Sequence, residues 1–132
     1  MYTMMQVCRE LDMTYQTLKF YCNEGLVPHV KRDKNNRRVF DERDVKWIKD
    51  LQCLKKCGMS IQEMKDYLDL CLAGPSTIMT RKQLLDKKQA QLREEVKKLK
   101  ESIAYIDWKQ NFYDDVLSGK RPYISNLIRV EE

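Results

Sequence analysis

Histidine, glycine and proline are scarce in this chain: one His, 4 Gly and 3 Pro among 132 residues. So little glycine and proline argues against a turn-rich β fold and favours long helices. With His29 alone, no phosphate-cradling glycine motif and no evident nucleophile–base set, enzymatic function has little to draw on and no cofactor is expected. No apolar run approaches the ~18 residues that a membrane span requires. Arg9 and Glu10 interrupt any apolar stretch that could serve as a signal peptide. The five cysteines are odd in number and show no disulfide framework. A cytoplasmic protein with reduced thiols is therefore expected.

Charge is present but unevenly placed. The net charge of +5 suits a polyanionic partner without requiring one. Much of the excess is local. Between Val27 and Phe40, Lys31, Arg32, Lys34, Arg37 and Arg38 face a single Asp33.

Helix starts are well marked. Thr3-Met4-Met5-Gln6 reads as a capping box opening a helix that buries some combination of Met5, Val7, Cys8 and Leu11. Thr14 is placed to cap a second helix from about Tyr15 to Glu24, stopped by Gly25. Two short helices around a tight turn at Asp12-Met13 suggest a helix-turn-helix. The basic run follows, with Asn35-Asn36 suited to the tip of a short hairpin because Asn tolerates positive φ. A basic hairpin beside a helix-turn-helix is a wing. Asp41 is placed to cap a third helix, with Val45, Trp47, Ile48, Leu51 and Leu54 on its apolar side, ending near Gly58. Ser60-Ile61-Gln62-Glu63 opens a fourth helix through about Leu72, and Ala73-Gly74-Pro75-Ser76 breaks it.

Beyond the break the pattern changes. Ile78, Leu85, Leu92, Leu99, Ile106 and Tyr113 recur every seven residues, and Gln89, Val96, Ile103, Gln110 and Leu117 form a second series. Two interleaved heptad series indicate a coiled coil. A helix over 77–117 would be ~60 Å long at ~1.5 Å per residue. It cannot bury its own stripe, so a partner is implied, most simply a second copy. The expected organisation is a mainly α protein. A winged helix-turn-helix domain of four helices plus a small β-hairpin over 1–74 precedes a dimerisation helix over 77–117 and a short tail over 118–132.

The stretch from Thr14 to Val27, Thr14-Tyr15-Gln16-Thr17-Leu18-Lys19-Phe20-Tyr21-Cys22-Asn23-Glu24-Gly25-Leu26-Val27, resembles the recognition helix of the MerR family of winged-helix transcription regulators. Asn35-Asn36-Arg37-Arg38-Val39-Phe40 resembles that family's wing motif, and Asp44-Val45, Gly58-Met59-Ser60 and Glu63-Met64 resemble later landmarks. The resemblance implies a homodimer joined by an antiparallel coiled coil, placing one recognition helix per subunit in successive major grooves of double-stranded promoter DNA. Such regulators bend and untwist a promoter with an over-long spacer, and so act on RNA polymerase through the DNA.

By this resemblance the DNA-binding residues are Gln16, Lys19, Phe20, Tyr21, Arg37, Arg38, Phe40 and Lys55. Gln suits adenine, Lys suits guanine or phosphate, and the arginines suit phosphate. The dimerisation residues are Leu85, Leu92, Val96, Leu99, Ile103, Ile106 and Tyr113. Four positions depart from the pattern: Lys19 replaces Arg, Phe20 and Phe40 replace Tyr, and Asn36 replaces Gly. These substitutions remove a bidentate fork and two hydroxyls.

Metal sensors of the family keep cysteines after the dimerisation helix, whereas 107–132 here holds neither Cys nor His. Cys53 and Cys57 offer two ligands at i, i+4 without an obvious third, so no metal site is expected. Lys49 and Lys56 flank Cys53 in sequence, and nearby ammonium groups favour a nucleophilic thiolate. The segments Asp44–Ile48, Cys53-Leu54 and Gly58–Ser60 resemble an NmlR/AdhR-like branch that responds to aldehydes and other electrophilic or nitrosative stress. That makes Cys53 the candidate sensor thiol, against the alternative that it simply packs against a partner's helix. Cys8, Cys22, Cys57 and Cys71 read as structural. Two other readings stay open: a ligand-independent DNA-bending or adaptor protein of the same fold, and a metal-responsive regulator.

Overall fold

The computed structural model describes residues 1–130. The elements run β1 (Tyr2–Thr3), α1 (Met4–Leu11), α2 (Tyr15–Asn23), β2 (Lys31–Arg32), β3 (Arg38–Phe40), α3 (Glu42–Lys56), α4 (Ile61–Leu72), a 3₁₀ turn (Pro75–Thr77) and α5 (Ile78–Leu117). By contacts the chain forms two units, 1–89 and 90 onwards.

In the first unit the helix ends follow from local chemistry. Thr3 and Gln6 close a reciprocal capping box on α1, and Asp41 with Asp44 and Ser60 with Glu63 do the same for α3 and α4. The Thr14 hydroxyl accepts from the Thr17 N–H at the start of α2. Gly25, at φ 77°, takes the left-handed conformation that turns the chain away from α2.

The buried face of α1 is Met4, Val7 and Cys8, with Leu11 half-buried. That is the i, i+3, i+4, i+7 spacing of one helical face. Met5, expected among the buried residues, lies off that face and is 55% exposed. Leu18 and Tyr21 of α2, Leu26, Val27, Phe40, Val45, Ile48 and Leu51 of α3, and Met59 and Met64 complete the core. Trp47 is half-buried at its edge. Its indole N–H donates to the Leu26 carbonyl at 2.6 Å, and its ring stacks on Tyr67.

The sheet holds one strand more than a hairpin. Its order is β1-β3-β2, with Tyr2 opposite Phe40 and Lys31 opposite Val39. The wing's inner strand is thus the central strand, held on one side by the chain's first residues.

The first three turns of α5 belong to this unit. Leu84 packs on the core, and the Lys88 ammonium lies 3.1 Å from Glu63. Arg81 donates to the Thr77 hydroxyl and the Gly74 carbonyl, securing the break between α4 and α5.

In the second unit α5 continues to Leu117, and Gly119 follows. No residue of α5 is buried. Leu99, Ile103 and Ile106 are 63%, 59% and 56% exposed. Near its end, Trp108 stacks on Phe112, and the Arg121 guanidinium lies over the Phe112 ring.

Candidate nucleic-acid interface

Two hollows in the first unit collect most of the polar residues singled out from the sequence, while Lys19 lines neither. The first is lined by Gln16, Thr17, Phe20, Tyr21, Lys55 and Ile61. It brings the outward side of α2 beside the last turn of α3. Gln16, Lys19 and Lys55 are exposed, and Phe20 is 45% exposed. Tyr21 reaches this hollow from the core, where burial raises its phenol above the ordinary value.

The second hollow, of about 520 Å³, lies between the wing and the starts of α1 and α2. Arg32, Arg37 and Arg38 supply its charge, and Met5 and Tyr15 its apolar side. Asp33 organises the wing tip: its carboxylate accepts from the N–H groups of Asn35 and Arg37 at 2.9 and 3.0 Å. Asn36 takes the left-handed conformation at φ 60°. The Arg32 guanidinium donates to the Asn36 carbonyl, and that of Arg38 donates to the Asn23 carboxamide oxygen at 2.7 Å.

Phe40 is a correction. It was expected at the DNA surface, yet it is fully buried. β3 is the central strand, packed by α1 and leading directly into α3, so its last residue turns into the core. Tyr15 and Arg32 line the wing hollow and were not singled out. The signals were in the sequence: Tyr15 directly follows the α2 cap, and Arg32 belongs to the basic run.

The cysteines differ in their surroundings. Cys53 is exposed, Cys8 is buried, and Cys22, Cys57 and Cys71 are half-buried. Cys57 caps α3, its N–H donating to the Cys53 carbonyl. Burial pushes the Cys22 thiol up, while the Arg38 and Arg32 guanidiniums act the other way. Among the described residues no three His, Cys, Asp or Glu side chains gather to hold a metal ion. No described helix is long and apolar enough to cross a membrane.

The family model described as "MerR HTH family regulatory protein" matches residues 2–71. The chain belongs to the MerR family. A relative from Haemophilus influenzae, named an uncharacterized HTH-type transcriptional regulator, is 32% identical over 131 residues, covering 99% of this chain and 97% of that protein. The Bacillus subtilis HTH-type transcriptional regulator AdhR is 36% identical over 89 residues, covering 67% of this chain and 64% of AdhR. Among solved structures, HiNmlR is described as a MerR family regulator lacking the sensor domain and bound to promoter DNA. It matches with a TM-score of 0.73 and 31% identity, over 89% of this chain and 93% of that one. A MerR family regulator from Listeria monocytogenes matches with a TM-score of 0.79 and 26% identity, over 91% of each chain. This MerR-family chain thus has relatives of the NmlR and AdhR type and is a helix-turn-helix transcriptional regulator.

Proposed function

We propose that the protein acts as a homodimer that binds double-stranded promoter DNA and distorts it. One α2 per subunit enters a major groove through Gln16 and Lys19, and the wing arginines hold the adjoining backbone. The observation that carries this reading is the three-arginine hollow of the wing, which reaches the start of α2 at Tyr15. Lys55, at the end of α3, adds a further backbone contact. The resemblance to a regulator bound to promoter DNA supports the choice of ligand.

Dimerisation runs through α5 as an antiparallel coiled coil. The exposed heptad series supports it, because a row of apolar side chains left in water favours association. RNA polymerase is affected through the promoter: untwisting an over-long spacer realigns its two recognition elements. A mobility-shift titration comparing a long-spacer promoter with random duplex tests the reading. Preference for the promoter is expected, and equal affinity for both would refute it.

Cys53 is the proposed sensor for aldehydes or related electrophiles. It is exposed and flanked along α3 by the exposed Lys49 and Lys56. Intact-protein mass spectrometry with cysteine mapping, coupled to in vitro transcription, is the test. Adduct formation on Cys53 should accompany the change in transcription, and Cys53→Ser should abolish both. An unchanged response in Cys53→Ser would leave a ligand-independent DNA-bending protein of the same fold.

A further inference from the structure

We infer that Asn23 is a positioning residue for DNA binding, aiming Arg38 at the phosphate backbone and tying the recognition helix to the wing. The inference rests on the DNA-binding reading above. Asn23 is the last residue of α2, and Arg38 is the first of β3, fifteen residues later. Their 2.7 Å hydrogen bond links the side chains of these two elements. It fixes where the wing's guanidinium lies relative to the helix that enters the groove.

The chemical type of the partner matters. Three lysines of this unit are held by carboxylates: Lys31 by Asp41 at 3.0 Å, Lys65 by Glu24 at 2.8 Å and Lys88 by Glu63 at 3.1 Å. Each of those pairs cancels its own charge. Asn23 is neutral, so it directs the Arg38 guanidinium without cancelling it. Arg38 is half-buried, and the Asn23 bond occupies one of its five N–H donors. The remaining donors stay available for a phosphate. A pre-aimed cation loses less conformational freedom when DNA arrives than a free one. Asn23 also carries two amide donors of its own beside the same backbone.

Arg32 gives a parallel. Its guanidinium is held by the Asn36 carbonyl at 3.0 Å, again a neutral acceptor. Two of the three arginines of the wing hollow are therefore directed by uncharged oxygens.

A double-mutant cycle tests the inference, with DNA affinity measured for the full-length chain on one promoter duplex. Asn23→Ala is expected to weaken binding about five- to tenfold, the upper part of the range for one ordinary lost hydrogen bond. In an Arg38→Ala background the same change should cost less than about twofold. Asn23→Asp, which keeps the acceptor but neutralises the guanidinium, should bind no better than Asn23→Ala. Each single variant should still unfold cooperatively at a midpoint well above the temperature of the titration, so that folded protein is compared with folded protein. Equal losses in both backgrounds, or tighter binding by Asn23→Asp, would overturn the positioning role. If Arg38→Ala weakens binding and Asn23→Ala does not, this inference alone fails. If Arg38→Ala binds as the parent does, the phosphate-contacting reading of the wing fails.

Discussion

Arg38 and Lys19 carry the same charge in different settings. Lys19 stands exposed on α2, free to reach a base edge or a phosphate, whereas Arg38 is half-buried and held by Asn23. A phosphate contact neutralises charge and releases counterions whatever the base sequence. Arg38→Ala should therefore weaken promoter and random duplex alike, and lower the slope of log K against log salt by about one. Binding titrations across salt concentrations check this, and an unchanged slope would exclude the contact. Asp41 makes a prediction of a different kind. Hydrogen bonding from the Asp44 N–H, helped by Lys31, lowers its carboxyl from 3.8 to about 2. A carboxylate held lower in the folded state contributes stability above its unfolded value and loses it as pH falls. That contribution should fade between pH 3.8 and about 2. Asp41→Asn, still an acceptable helix cap, should show a shallower acid limb in this window by circular dichroism.

At the scale of elements, the capping signals were legible before any tertiary contact was considered. The boxes at Thr3 and Ser60 close as read, and the cap read at Asp41 forms with Asp44 a reciprocal box as well, because a cap needs only residues three positions apart. The wing was legible as a hairpin but not as a sheet. Pairing of Tyr2 with Phe40 joins residues far apart in the chain, and two-residue strands carry no periodic signal. That pairing explains the error at Phe40. A motif suggested a surface ring, but a third strand and α1 enclose it. Phe40→Ala should cost about 3–5 kcal/mol, as a large buried aromatic truncated to a methyl does. Urea unfolding measures the loss. A cost below about 1 kcal/mol would mean that the ring is not a core residue.

At the scale of the whole molecule, the second unit buries nothing of its own along α5. In the proposed dimer, a helix of 40 residues with most of its apolar heptad positions exposed would gain its stability from association rather than from propensity. Ile103 lies within the repeating series and is 59% exposed, so in the proposed coiled coil a charge there would meet a partner's apolar row. Ile103→Glu should shift the dimer towards monomer in sedimentation equilibrium. The first unit should still unfold cooperatively, since Ile103 takes no part in its core. Affinity for a two-half-site promoter should fall more than affinity for a single half-site, because the two recognition helices no longer bind as one ligand. A variant that stays dimeric would place the interface elsewhere.

The sequence by itself determined what depends on neighbours along the chain: five helices and the caps of the first four, the break near Gly74, the basic run and the heptad stripe. These follow from hydrogen-bond reach and helical period, which are local quantities. Only the tertiary structure decided which apolar residues were enclosed and which charges converged. It buried Phe40 and left Met5 exposed, because burial depends on what packs from elsewhere in the chain. It also gathered Arg32, Arg37 and Arg38 around one hollow and set Asn23 against Arg38. That juxtaposition follows from the wing folding back beside the end of α2, and no residue spacing encodes it.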